Sequence, residues 1–156
     1  MSEVMSNFRN KFNTKELIIY ESKHWIWSLR PVQSTLGSSI LYLKRECSVF
    51  SKLKPGEFSD LSRIIYVIED TLKDIFKYNV INYLMLMMLD KQVHYHVIPR
   101  YEKTIIFRGK TWQDFGWPGI PVLSGEKSDD SELLIIKNLI KKHLPHTDDL
   151  ERRQQL

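Results

Sequence analysis

Short runs of apolar residues alternate with polar turns in the first third of this sequence. The runs LIIY (17–20) and WIWSL (25–29) are separated by the polar turn ESKH, which predicts an antiparallel hairpin. PVQSTLGSS (31–39) contains proline, glycine and serines, so it predicts a loop that leads into a third strand, ILYL (40–43). The pattern therefore indicates three short strands close together in the chain.

A long helix is predicted from Pro55 to Phe76, because apolar residues recur there every three or four positions. These residues are Leu61, Ile64, Ile65, Ile68, Leu72, Ile75 and Phe76. Proline suits the first turn of a helix, and Asn79 is expected to take the left-handed conformation at its exit. The spacing predicts a helix with one buried face.

Two further strands are predicted after the helix, VINYLMLMML (80–89) and VHYHVI (93–98). The three residues between them predict an antiparallel hairpin. Residues 102–127 are rich in glycine, proline and tryptophan, which predicts an ordered irregular segment rather than a free linker. Acidic residues at the start and basic residues at the end predict a C-terminal helix over 128–145.

Together these elements predict an α+β fold with an antiparallel sheet of about five strands, one long helix and a C-terminal helix. The length of 156 residues is that of one domain, so we expect a single domain over 1–156. The single cysteine, Cys47, excludes an internal disulfide, and the N-terminus lacks the apolar core of a signal peptide. We expect a cytoplasmic protein without a membrane span.

The net charge of +4 mildly favours phosphate-bearing ligands, but the basic residues are scattered along the chain. They do not form the dense block that is typical of nucleic-acid binding. The charge alone identifies no partner.

Two of the five histidines, His94 and His96, lie two residues apart in a predicted strand. Side chains two apart in a strand project from the same face, so Gln92, His94 and His96 are expected on one side and Tyr95 on the other. Three interpretations remain open at this point. The histidines are ordinary residues of a polar face, zinc ligands that lack a spaced third and fourth ligand, or catalytic groups beside a phosphate site.

The run VHYHVIPRY resembles the signature of the histidine-triad family, in which histidines alternate with apolar residues and Pro-Arg follows. The resemblance extends upstream through WSLRPVQSTLG and ILYL, and covers about residues 15–101. The wider pattern is similar to bacterial histidine-triad proteins described as diadenosine-tetraphosphate hydrolases. It implies an α+β fold, a homodimer and the binding of nucleotides.

Carried over by register, the resemblance implies that His94 is the nucleophile and that His96 lies beside the reacting phosphate. It implies that Gln92 occupies the first triad position and that Ser28 touches the ribose. Trp27 is a candidate to stack on the base, and Arg100 is a candidate to attract phosphates. We expect His94 and His96 to lie in a concave, partly open site.

Three positions depart from the family pattern. Gln92 replaces the first triad histidine and cannot gain a proton near neutral pH. Ser38 stands where many members carry another histidine, in a Gly-His pair before the third strand, and Met88 stands where the family often places a phosphate-binding amide.

The sequence thus predicts a hydrolase of dinucleoside polyphosphates or related nucleotidyl esters that acts through a nucleotidyl-histidine intermediate, without a metal or other cofactor. One alternative is a nucleotide-binding or regulatory module of the same fold with little turnover. Another is a small metal-binding protein that uses His94 and His96. A nucleotide and a second copy of the chain are the expected partners, with neither membrane nor nucleic acid.

Overall fold

The computed structural model describes residues 1–153, and the predicted domain extends three residues beyond them. Five strands form an antiparallel sheet in the order β1-β2-β3-β5-β4. The strands are β1 (Ile18–Glu21), β2 (Trp25–Leu29), β3 (Ser39–Leu43), β4 (Val80–Leu84) and β5 (His94–Arg100). The predicted five-stranded antiparallel sheet is confirmed, and β5 lies next to its centre.

The long helix, α3 (Pro55–Phe76), has the predicted bounds. Pro55 begins it, and the Glu57 carboxylate accepts a hydrogen bond from the backbone N–H of Lys54 at 2.8 Å, which caps the first turn. The left-handed residue at its end is Lys77, with φ of 52°, and not Asn79 as predicted. The Lys77 N–H donates to the carbonyl of Lys73, so the left-handed residue lies two positions before the predicted Asn79.

One face of the sheet packs against α3 and forms the main core. Its strands contribute Trp25, Trp27, Leu41, Leu43 and Val97, and α3 contributes Leu61, Ile64, Ile68 and Leu72. The opposite face carries a second, smaller apolar cluster made of Phe8, Phe12, Ile26, Ile40 and Tyr42, with Ile18 beside it. The two histidines of β5 lie on this second face.

Strand β4 is shorter than predicted, because pairing with β5 stops at Leu84 opposite His96. Residues 85–93 then connect the two strands, with Met87 at a positive φ of 49°. The antiparallel pairing is as predicted. The prediction that only three residues link the two strands is wrong. The apolar residues Leu86, Met88 and Leu89 are exposed in this connection and take no part in the sheet.

The segment after β5 is ordered, as predicted, but it also contains a small hairpin. Strands β6 (Ile105–Phe107) and β7 (Lys110–Trp112) pair antiparallel across a turn at Arg108 and Gly109. Both turn residues have positive φ, which is the backbone conformation that tight hairpin turns require. Three-residue strands are too short to produce a clear alternating pattern in the sequence.

Residues 1–153 contain four helices besides α3. They are α1 (Glu3–Lys11), α2 (Thr14–Leu17), α4 (Asp130–Lys142) and α5 (Thr147–Arg153), and a short 3-10 turn spans Phe50–Lys52. Helix α4 is the predicted C-terminal helix and buries Leu133, Ile136 and Ile140 in the main core. Within residues 1–153, none of the helices combines the length and the apolar character needed to cross a membrane.

Candidate active site

His94 and His96 lie on the same face of β5, as predicted from their spacing. His94 stands opposite Tyr42, and His96 stands between Ile40 on one neighbouring strand and Leu84 on the other. Their ring centroids are 5.1 Å apart, with the ring planes inclined at 78°. Tyr95 points to the other face, where its ring lies 6.2 Å from that of Trp25.

Helix α1 covers this pair of histidines. The ring centroid of Phe8 lies 5.1 Å from that of His94, and the ring centroid of Phe12 lies 6.0 Å from that of His96. As a result only 1% of His94 and 7% of His96 is exposed. The expectation of a partly open site is therefore wrong for this structure, because the N-terminal helix covers this face of the sheet.

The cover is held mainly by its apolar side chains. Burial of one phenylalanine side chain stabilises the folded protein by roughly 1.5–3 kcal/mol relative to leaving that side chain exposed. The polar anchors are a hydrogen bond from Ser2 to Glu46 and an ion pair of 2.6 Å between Lys11 Nζ and the Asp90 carboxylate. Exposed pairs of this kind contribute about 0–1 kcal/mol. Phe8 and Phe12 therefore determine whether α1 stays in place.

The neutral form of both histidines is favoured at neutral pH. Burial lowers the pKa of His94, and the hydrogen bond to the backbone carbonyl of Gln92 opposes this only in part. Burial, assisted by the positive charge of Arg30, lowers the pKa of His96 to about 3. Two uncharged imidazoles thus lie side by side beneath α1.

The hydrogen bond of His94 also fixes its tautomer. Nδ1 lies against the carbonyl oxygen of Gln92, which can only accept, so Nδ1 carries the proton. Nε2 then keeps its lone pair, which is the form in which an imidazole acts as a nucleophile. The backbone of residue 92 provides this orientation, so it does not depend on which side chain stands there.

The side chain of Gln92 is fully buried and forms hydrogen bonds with the backbone at the end of β3 and just after it. Its Oε1 accepts from the N–H of Cys47 at 3.0 Å, and its Nε2 donates to the carbonyls of Leu43 and Arg45 at 2.7 and 2.8 Å. Strand β5 begins only at His94. Gln92 therefore ties two chain segments together, while its contact with a nucleotide stays a prediction.

Ser28 and Trp27 lie on opposite faces of β2. Ser28 pairs with Ile40, which pairs with His96, so Ser28 shares the histidine face. Its Oγ is buried and has no hydrogen-bond partner. Trp27 pairs with Leu41 on the core face, and its Nε1 donates to the hydroxyl of Ser39 at 2.8 Å. The predicted stacking of Trp27 on a base does not fit this position.

Arg100 lies on the histidine face of β5, but its guanidinium is already occupied. Nε and Nη2 donate to the two oxygens of Asp114 at 2.6 and 3.2 Å, and Nη1 donates to Asn82 and to the carbonyl of Gly119. The side chain is buried. Arg100 holds the segment 114–119 against the sheet, so the predicted attraction of phosphates does not fit its environment.

The other departures from the family pattern also have structural explanations. Ser38 is buried, and its hydroxyl donates to the carbonyl of Thr35 at 2.8 Å within the loop before β3. Met88 is exposed and lies four residues beyond the end of β4, so it does not occupy a strand end as expected. Within the described part of the chain, no three His, Cys, Asp or Glu residues are grouped to hold a metal ion.

Sequence reasoning missed Phe8, Phe12 and Arg30 as residues of this site. Phe8 and Phe12 are one helical turn apart, and with Met5 they form an apolar face behind the N-cap Ser2, which was the available signal. Arg30 follows β2 directly and is buried. Nothing in the local pattern distinguishes it from a solvent-exposed charge at a strand end.

The fold of this chain is similar to that of several solved structures. No protein-family model matches the sequence, and no match was found among curated proteins. Among the similar solved structures are histidine-triad proteins. A histidine-triad protein of Sinorhizobium meliloti has a TM-score of 0.67 and 23% identity, over 82% of this chain and 89% of that one.

Two further solved structures have a similar fold. A histidine-triad protein of Bradyrhizobium japonicum has a TM-score of 0.66 and 19% identity, over 85% of this chain and 95% of that one. A diadenosine triphosphate hydrolase of Plasmodium falciparum has a TM-score of 0.62 and 13% identity, over 90% and 95%. This protein has the histidine-triad fold, which confirms at the level of the fold the resemblance seen in the sequence.

Proposed function

We propose that this protein binds a nucleotide on the histidine face of its sheet and hydrolyses dinucleoside polyphosphates or related nucleotidyl esters. The observation that carries this proposal is the state of His94, whose Nδ1 proton is held by the carbonyl of Gln92 while Nε2 keeps its lone pair. The neighbouring ring of His96, 5.1 Å away, places a second imidazole in the site. The similar fold of a diadenosine triphosphate hydrolase supports this substrate class.

In the proposed reaction, Nε2 of His94 attacks the α-phosphorus. A nitrogen–phosphorus bond forms, and the bond from phosphorus to the bridging oxygen breaks with its electron pair leaving on that oxygen. Water then attacks the same phosphorus, the nitrogen–phosphorus bond breaks, and nucleoside monophosphate is released. The electron pair returns to His94, and the proton of the attacking water passes to solvent.

His96 is proposed to assist the leaving oxygen. In the covered state its low pKa leaves it without a proton to donate at neutral pH. A phosphate placed beside its ring raises that pKa, because an opposite charge within a few ångströms favours the protonated form. Substrate binding would thus convert His96 into an acid at the moment when an acid is needed.

Access to His94 requires α1 to move. The two phenylalanines cover both histidine rings, so a nucleotide reaches Nε2 only after this helix has left the sheet. An isolated helix of nine residues is not stable in water, so α1 loses its structure once its apolar contacts are lost. Binding therefore competes with the docking of α1.

A binding or regulatory module with little turnover is the second candidate function. It is favoured by the burial of both histidines and by the use of Gln92 as a structural tie, which leaves no ionisable side chain at the first triad position. In this case the covered site would release α1 when a nucleotide binds, and no product would form.

A second copy of the chain is the proposed protein partner. Strand β4 is at the edge of the sheet, so one side of its backbone is not paired within the sheet. Leu86, Met88 and Leu89 are exposed next to this edge. A twofold pairing of two such edges would cover these apolar side chains.

Release of mononucleotide separates the two candidate functions. We expect wild type to produce adenosine monophosphate from diadenosine tetraphosphate, and His94→Ala to bind the substrate but release none, because the imidazole acts in bond formation. His146→Ala is the matched control, since this histidine is exposed. If wild type and His94→Ala both bind the substrate and release equal amounts of adenosine monophosphate, the hydrolase proposal is wrong. The binding module would then be the remaining candidate.

A further inference from the structure

Arg30 is a buried cation without a counter-charge. Only 7% of it is exposed, and no carboxylate forms an ion pair with it in the described part of the chain. Its guanidinium reaches two neutral acceptors, the carbonyl of Leu123 at 2.9 Å and the hydroxyl of Ser34 at 3.4 Å. Its Nε is buried and has no hydrogen-bond partner.

Arg100 is also a buried arginine, but it has a counter-charge. Arg100 is as deeply buried as Arg30, and the Asp114 carboxylate neutralises it through two hydrogen bonds. An ion loses its hydration when it is buried, and only an opposite charge or a full set of hydrogen bonds offsets that loss. Arg30 lacks both, so its burial favours the binding of an anion that comes from outside the protein.

Arg30 lies beside the histidines. It follows the last residue of β2, and its N–H continues the pairing with β3 by donating to the carbonyl of Ser38. Residues two apart in a strand share a face, so Arg30 lies on the side of Ser28 and His96. Two further buried polar atoms without partners occur on this side, Oγ of Ser28 and Nδ1 of His96.

The cations around this face differ between the covered and the uncovered site. Arg9 and Lys11 belong to the covering helix, and Asp90, the acid next to them, is paired with Lys11. Nε of Arg9 is also buried without a partner. When α1 leaves the sheet, Arg9 and Lys11 leave with it and Arg30 stays beside His96. The planar guanidinium of Arg30 is suited to the oxygens of a phosphate group.

We propose that Arg30 binds a phosphate group of the nucleotide beside His96, the role that sequence reasoning had given to Arg100. The inference rests on the proposed nucleotide binding and names the residue that recognises the charge. When α1 leaves the sheet, the guanidinium donates to the phosphate oxygens, and Ser28 and His96 have a polar group to bind.

The experiment compares adenosine, adenosine monophosphate and inorganic pyrophosphate by calorimetric titration. The proteins are wild type, Arg30→Gln, Arg30→Lys and the control Arg108→Gln, which removes the same charge from an exposed turn. Each is studied alone and together with Phe8→Ala and Phe12→Ala, so that a firmly docked α1 cannot hide the site. Thermal unfolding and circular dichroism establish that each variant is folded.

The expected result is a preference for the monophosphate over adenosine that depends on Arg30. Loss of a charged hydrogen-bond donor weakens binding about ten- to hundredfold, so Arg30→Gln should bind the monophosphate and adenosine nearly equally. Arg30→Lys should recover part of the preference, because it keeps the charge without the planar fork. Arg108→Gln should match the wild type.

The outcomes separate this inference from the proposed function. If Arg30→Gln keeps the full preference for the monophosphate, nucleotide binding stands and Arg30 is not its phosphate ligand. If adenosine and the monophosphate do not bind but pyrophosphate does so in an Arg30-dependent way, the anion site stands and nucleotide recognition is wrong. If none of the three binds to the uncovered protein, both are overturned.

Discussion

The ring of Phe8 stands edge-on to the ring of His94, with centroids 5.1 Å apart and planes inclined at 62°. This contact joins the N-terminal helix to the strand that carries the candidate nucleophile. Because the helix is short and its polar anchors are exposed, this contact and that of Phe12 control access to the site.

Removing the two phenylalanines should uncover the histidines. In the double variant Phe8→Ala, Phe12→Ala, we expect faster hydrogen exchange of the α1 amides and faster modification of His94 and His96 by diethyl pyrocarbonate. The reason is that α1 loses most of the apolar burial that holds it. Val4→Ala, on the exposed side of α1, is the control and should behave as wild type. Unchanged histidine modification would show that α1 is not the barrier.

Acid should destabilise the protein through His96. Its pKa is about 3 in the folded chain and about 6.5 when exposed, so between these values the unfolded state binds a proton that the folded state does not. The free energy of unfolding should therefore fall as the pH decreases from about 6.5 to 3, by up to about 1.4 kcal/mol per pH unit for this group. Chemical denaturation across this range measures the slope.

His96→Gln should flatten this pH dependence, and His146→Gln should leave it unchanged. The charged groups that act on His96 are Arg30 and Lys11, which lower its pKa, and Asp90, which raises it, while His94 lowers it as well. A slope that His96→Gln does not alter would assign the acid sensitivity to another group.

Gln92→Ala should lower stability rather than act on chemistry alone. The variant leaves the carbonyls of Leu43 and Arg45 and the N–H of Cys47 without their partner. Each unsatisfied buried group costs about 1–3 kcal/mol, so a loss of several kcal/mol is expected in urea unfolding. Gln33→Ala is the matched control, because this glutamine ties the loop before β3 in the same way but does not precede the histidine strand. A stable Gln92→Ala would contradict the structural role.

Arg100→Met should destabilise the protein by about 3–5 kcal/mol, because it leaves the buried carboxylate of Asp114 without its cation. The control is Lys77→Met, which breaks the exposed ion pair with Asp74 and should change the free energy of unfolding by less than about 1 kcal/mol. Guanidinium unfolding measures both. Equal effects of the two variants would argue against the paired role of Arg100.

Light scattering should give twice the chain mass of 18.6 kDa at micromolar concentration if the β4 edges pair. Leu86→Glu with Leu89→Glu should shift the protein to the monomer, because charges would then face each other across the contact. Ile106→Glu places the same charge on an exposed residue of β6 and should leave the dimer intact. A mass equal to that of the monomer at all concentrations would contradict the predicted self-association.

Several features of the fold and the site were predictable because they depend on residues close together in the chain. The bounds of α3 follow from apolar spacing and Pro55. The common face of His94 and His96 follows from the two-residue period of a strand, which holds for any strand once its extent is known. The left-handed exit at Lys77 was not predictable in this way, because lysine has no strong preference for that conformation.

Only the tertiary structure decided what lies above the histidines and which polar groups are already paired. Phe8 and His94, Gln92 and Leu43, and Arg100 and Asp114 are brought together by the fold, not by their order in the chain. The sequence presents Arg30 and Arg100 alike, as cations at strand ends. The difference between them is a carboxylate that reaches one and not the other, and burial makes this difference chemically important, because a charge removed from water must find a partner.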